Sequence, residues 1–113
     1  MRVVFISGPY RNSSEWRVEQ NIRQAEKLAL AAWELGVAVH CPHKNTARLG
    51  GALPDEVWLK GDLEVLSRCD AVLCTSDWRQ SVGATAEVEL ARQLGLPVFE
   101  AIEELNAWLL SQK

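Results

Sequence analysis

The chain predicts a doubly wound α/β domain, and three observations carry that prediction. Short, continuously apolar segments alternate strictly with longer stretches of helical periodicity, the links between them are short, and glycine or proline marks most of the changes. Such alternation gives a parallel sheet with right-handed crossovers and helices on both faces, here of four or five strands in the order 2-1-3-4. At 113 residues there is room for one core, so residues 1–113 are expected to form a single domain.

Val3 to Ile6 is an apolar run ending at Ser7-Gly8-Pro9, the pattern of a strand buried on both faces. After the polar loop from Tyr10 to Ser14, apolar residues Val18, Ile22, Ala25, Ala29, Ala32 and Trp33 recur at helical spacing, with Asn12 to Ser14 as capping candidates. That first helix runs to about Leu35 and stops at Gly36. Val37 to Cys41 is the second strand, closed by Pro42 and followed by a polar loop from His43 to Leu53. Pro54 opens the second helix, which either continues through Gly61 or breaks there with Asp62 capping a second piece. Asp70 to Thr75 is strand three, Val82 to Leu94 helix three, Gly95 to Phe99 holds strand four, and Ala101 to Leu110 is the last helix. In this order the switch point lies between strands one and three, where the loops Gly8 to Ser14 and Ser76 to Ser81 meet.

Composition narrows the function. Hydrophobic residues at 48% and charged residues at 24% describe a folded globular protein, and the net charge of −3 argues against a nucleic-acid binder. No apolar run reaches the roughly 20 residues that span a bilayer, and the N-terminal run is too short for a signal peptide, so the expectation is a cytoplasmic protein without membrane contact. Cys41, Cys69 and Cys74 lack paired spacing and read as reduced thiols. His40 and Cys41 point to opposite faces of a strand, which argues against a metal at His40-Cys41-Pro42-His43. No metal or cofactor is expected.

Two carboxylates stand on apolar faces. At about 100° per residue, Glu87 falls with Gly83, Ala84, Leu90, Ala91 and Leu94, whereas Glu89 falls among Thr85, Arg92 and Gln93. Asp62 shares its face with Trp58, Leu59, Val65, Leu66 and Cys69. An unpaired buried carboxylate costs several kcal/mol or takes a raised pKa, so each calls for a cavity, a partner or a function. A structural pair of Glu87 with Arg11 or Arg79 is the competing reading. Helix three starts at Ser81 and Gly83, so its free amides face the switch point and suit a phosphate or carboxylate.

These segments resemble the nucleoside 2-deoxyribosyltransferase-like superfamily, which includes 2′-deoxynucleoside 5′-phosphate N-hydrolases. The likeness rests on Val4-Phe5-Ile6-Ser7-Gly8-Pro9-Tyr10, Gly61-Asp62-Leu63, Cys69-Asp70-Ala71-Val72 and Ser81-x-Gly83-x-x-x-Glu87 with Ala91. It implies a flavodoxin- or Rossmann-like fold, a glutamate nucleophile at Glu87 that attacks C1′ of the sugar, and Asp62 beside it for proton transfer or positioning. It also implies a substrate site around Ser7, Gly8, Pro9, Arg11, Ser81 and Gly83. The position of Ser81 is an aspartate in the transferases and a phosphate-contacting serine in the hydrolases, which favours a nucleotide over a nucleoside. The family's strand-one tyrosine, which orients the nucleophile, is Phe5 here. Tyr10 is its available replacement, or else a packing or stacking side chain.

Of five tryptophans, Trp16 and Trp78 lie in or beside the loops that meet at the site and are expected either to stack on a base or to meet another subunit. Trp33, Trp58 and Trp108 read as core or dimer contacts. The leading expectation is an enzyme that cleaves or exchanges the base of a nucleotide or nucleoside and forms a homodimer or larger homo-oligomer. A nucleotide-binding module of the same fold without turnover is the alternative, and a flavodoxin-like electron carrier is a weaker one.

Overall fold

The computed structural model describes residues 1–112. Its centre is β1 (Val3–Ser7), which pairs in parallel with β2 (Ala38–His40) on one side and β3 (Ala71–Cys74) on the other. β3 in turn pairs with β4 (Val98–Phe99), so the sheet order is β2-β1-β3-β4 as the alternation predicts, with four strands among the described residues. Register sets Val4 beside Ala71 and Ser7 beside Cys74, which brings the carboxyl ends of the two central strands level.

Side chains leave a strand alternately to opposite faces, and that divides the core in two. Val4, Ile6, Ala71 and Leu73 face α1 (Glu15–Glu34) and α5 (Ile102–Ser111), where Ala25, Ala29, Ala32 and Leu105 complete one cluster. Phe5, Val72 and Cys74 face α3 (Asp55–Leu66) and α4 (Val82–Gln93), with Leu66, Ala84, Val88 and Ala91. The small residues on α1 let it lie close against the sheet. Ser14 caps α1 by accepting from the Arg17 amide, and Gly36, at φ +88°, takes the left-handed conformation that ends it.

One local feature differs from the sequence reading. The segment after β2 is not all loop: Pro42, whose fixed φ suits a first helical position, starts a single turn, α2 (Pro42–Asn45). Of the two courses open to the second helix, α3 takes the first: it runs unbroken through Gly61, so Asp62 is an interior helical residue and not a cap. No described helix is long and apolar enough to cross a membrane.

Candidate functional site

β1 ends on Ser7, and two-residue periodicity turns Ser7 to the same face as Phe5, toward α4. Phe5 packs among Leu66, Ala84 and Val88, while the Ser7 hydroxyl, one step nearer the strand's carboxyl end, donates to Glu87 Oε1 at 2.7 Å. Glu87 sits on the face of α4 that also buries Ala84, Val88 and Ala91 and is only 7% exposed, whereas Glu89 is exposed. Burial pushes the Glu87 carboxyl up to about 8; the nearby Asp62 charge adds to this, and the Ser7 hydrogen bond opposes it. Asp62, half-buried on α3, is raised by burial to about 6.

Neither arginine weighed as a structural partner reaches Glu87. Arg11 pairs with Asp55 at 2.7 Å, and Arg79 pairs with Glu100 at 2.7 Å. The buried carboxyl therefore faces a hydroxyl and a cleft. That cleft, about 710 Å³, lies at the carboxyl end of the sheet on its α3/α4 side. Gly8, Pro9, Tyr10, Arg11, Asp62, Ser81, Gly83 and Glu87 all line it, and Ser7 lies beneath as Glu87's partner.

Local structure explains how the cleft is held open. A methyl group on Gly8 would stand 2.5 Å from Thr75 Oγ1, so only glycine lets the loop after β1 pass so close to the end of β3. At the start of α4 the Ser81 hydroxyl accepts from the Ala84 amide at 3.1 Å, which leaves the Val82 and Gly83 amides outside the helical ladder. A methyl on Gly83 would find only Ser81 Oγ, 3.8 Å away, so that position opens onto free space.

Trp78 is not part of this cleft. It starts a 3₁₀ turn after β3, is 5% exposed within the α3/α4 core, and donates its indole N–H to Glu100 Oε1 at 2.9 Å, with the Arg79 guanidinium 4.5 Å over its ring. Trp16 is 66% exposed on α1 and does not line the cleft either. Trp58, read as a core or dimer residue, does line it, one helical turn before Asp62. Trp33 is exposed, and Trp108 packs on Phe99.

The sequence reading did not assign His43 and Asn21 to the site. His43, on α2, places Nε2 2.9 Å from the Pro9 carbonyl and 3.2 Å from that of Gly8. Asn21 donates to the Tyr10 carbonyl at 3.2 Å from the inward face of α1. The available signals were a histidine just past the end of β2, at the same end of the sheet as the site, and a polar residue one turn before Ala25 on an otherwise apolar stripe. A second groove, about 1180 Å³ between α1, Lys44 to Arg48 and the ends of β3 and β4, is lined by exposed charges of both signs and contains no buried carboxylate. Among the described residues, no cluster of three or more histidine, cysteine, aspartate or glutamate side chains is arranged to hold a metal.

No curated protein matches this sequence. Among solved structures, the chain is similar to a 2-deoxyribosyltransferase from the psychrotolerant bacterium Bacillus psychrosaccharolyticus, at a TM-score of 0.62 and 22% identity over 85% of this chain and 69% of that one. Residues 2–100 match the model of a family described as a domain of unknown function, DUF4406. Sheet order, helix placement and that match agree: the chain belongs to the DUF4406 family and has the fold of the nucleoside 2-deoxyribosyltransferase-like proteins.

Proposed function

We propose that this protein cleaves or exchanges the N-glycosidic bond of a nucleoside or its 5′-monophosphate, with Glu87 as nucleophile. The observation that carries the reading is Glu87 itself: a buried carboxyl with no cationic partner among the described residues, held by the Ser7 hydroxyl at 2.7 Å and facing a cleft beside Asp62. In the first step a Glu87 oxygen bonds to C1′, the C1′–N bond breaks, and its electron pair leaves with the base, which takes a proton. Asp62, raised to about 6, is the neighbouring group able to deliver that proton. Water in hydrolysis, or a second base in exchange, then attacks C1′ and gives up a proton to the Asp62 carboxylate left by the first step, while the C1′–O bond breaks and its electron pair returns to Glu87.

Ser7 takes the place of the strand-one tyrosine hydroxyl that Phe5 lacks, since it lies two residues along on the same face and already contacts Glu87. Tyr10 is then free to meet the sugar or base from the cleft wall. The Ser81 hydroxyl uses a lone pair to cap α4 and keeps its proton to offer a phosphate, with Arg11 and Arg17 on the same cleft. A cytoplasmic homodimer is the proposed setting, in which a second subunit covers the exposed Leu30 and Trp33.

Chromatography of free base released from ribo- and deoxynucleosides and their 5′-monophosphates tests the reaction, with Glu87→Gln as the control. Release by the wild type and none by the variant is the expected result. Release by the variant at the wild-type rate would refute the role of Glu87. Binding of a nucleotide with no base released from any substrate would replace the enzyme with a binding module.

A further inference from the structure

We infer that His43 is a positioning residue: its imidazole, fixed as the Nε2–H tautomer, holds the loop from Gly8 to Arg11 in the shape that presents Tyr10 to the cleft. The inference rests on the proposed reaction only for its effect on turnover, because the placement of Tyr10 can be read independently.

The loop cannot hold itself. Among the described residues, none of residues 8–13 takes part in a backbone–backbone hydrogen bond, and Pro9 has no N–H to give. Side chains from elsewhere hold it instead. The Gly8 and Pro9 carbonyls can only accept, and both lie within reach of His43 Nε2, at 3.2 and 2.9 Å, so that nitrogen carries the hydrogen and shares it between them. The other ring nitrogen, Nδ1, is 3.9 Å from Cys41 Sγ. Burial keeps the Cys41 thiol protonated, with its pKa raised to about 11, so the thiol is the donor and Nδ1 the acceptor. Burial also lowers the His43 pKa, which favours the neutral ring this arrangement requires.

The ring acts on Tyr10 directly as well. The two rings meet edge to face, with centroids 5.7 Å apart at 82°. Asn21 donates to the Tyr10 carbonyl from α1, and Arg11 leans over the phenol at 5.5 Å while paired with Asp55. The same loop follows directly on Ser7, the partner of Glu87, so a shift at Gly8 bears on the residue that holds the nucleophile as well as on Tyr10. His43 can do this because α2 begins immediately after β2, which sets its second residue across from the end of β1.

Tyr10 is the only tyrosine in the chain, so ring-labelled ¹³C-tyrosine gives a single set of NMR signals to follow. His43→Leu removes the donor, and His43→Gln restores an N–H at a similar reach. The expected result is that Leu shifts the Tyr10 signals and raises KM for base release by about tenfold to a hundredfold with a smaller change in kcat, and that Gln recovers both. In the wild type, ¹⁵N shifts should report a neutral Nε2–H imidazole. Unmoved Tyr10 signals in the Leu variant, equal disturbance by Gln and Leu, or an Nδ1–H ring would overturn the inference. If the wild type releases no base, the reaction falls while the Tyr10 signals still decide the role of His43. If the Leu variant does not fold, the wild-type tautomer and the Gln variant decide it.

Discussion

Replacing Glu87 by glutamine should make the protein more stable at alkaline pH while removing its proposed chemistry. The carboxyl titrates at about 8 in the folded chain against an ordinary value of 4.5, because burial penalises the charge. The folded state therefore keeps a proton that the unfolded chain has already lost between those two values. Stability from this group is full below pH 4.5 and falls as pH rises through about 8. Asp62 acts in the same direction, but its change lies lower, from 3.8 to about 6. Burial lowers His40 and His43 and raises all three cysteines to about 11 or 12, so their own linkage falls at the edges of the neutral-to-alkaline range, where the unfolded groups titrate. These groups are the same in both proteins, so the difference between wild type and variant from about pH 6.5 to about pH 9 isolates Glu87.

Over that interval the wild type should lose about 2 kcal/mol that the Gln variant keeps, from about 1.4 kcal/mol for each pH unit between the start of the interval and the Glu87 titration at about 8. The amide oxygen of glutamine still accepts from Ser7, so the comparison changes the charge and little else. Urea titrations at a series of pH values read the effect directly. With a slope of about 1–3 kcal/mol/M, the wild-type midpoint should fall by about 1 M relative to the variant. Midpoints that run parallel from pH 6.5 to 9 would refute the claim that Glu87 is a buried acid held neutral by its surroundings.

Three further outcomes follow from the same contacts. Ser7→Ala removes the hydrogen bond that favours the Glu87 carboxylate, so the carboxyl should titrate still higher and the inflection at about pH 8 in the base-release profile should move up in pH; an unmoved inflection would separate Ser7 from the nucleophile. Gly8→Ala forces a methyl against Thr75 and should cost about 1–3 kcal/mol, read as a lowered thermal midpoint; a variant as stable as the wild type would mean that the loop relaxes freely. Trp78→Phe loses the bond to Glu100 and should cost about 1 kcal/mol of stability in denaturant titration while leaving nucleotide affinity within about twofold, because its ring lies in the core and not in the cleft.

What could be read from the sequence was whatever depends on period. Apolar runs at β1 and β3, and helical spacing on α1 and α4, are local patterns, and they fix the sheet order once parallel crossovers are required. The same geometry distinguishes Glu87 from Glu89, since two residues apart on a helix means opposite faces. What could not be read was partnership. Ser7 and Glu87 lie 80 residues apart, and nothing in either segment says that a strand-end hydroxyl will meet that carboxyl. Trp78 shows the converse: its loop lies next to the switch point, but Glu100, from the end of β4, draws its indole N–H away from the cleft. His43 was weighed only as a metal donor. Its actual role depends on two carbonyls from another loop, and carbonyls leave no trace in a sequence.

The raised pKa of Glu87 bears on whether it can be a nucleophile at all. A carboxyl at about 8 is protonated in most molecules at neutral pH, which would suit a general acid. The cost of ionising it first is nevertheless small: about one molecule in ten is ionised at pH 7, which adds about 1.4 kcal/mol to the barrier. Enzymes lower such barriers by about 8–23 kcal/mol, so this handicap is minor. The positive charge that develops at C1′ in the transition state returns part of it, because a carboxylate is favoured beside a cation. The Ser7 hydroxyl, at 2.7 Å, favours the same ionised form. A desolvated carboxylate is also the stronger nucleophile, having no water shell to shed. Burial therefore costs the protein stability at alkaline pH while leaving Glu87 competent, and the inert Gln variant should be the more stable of the two at pH 9 because the same charge is responsible for both effects.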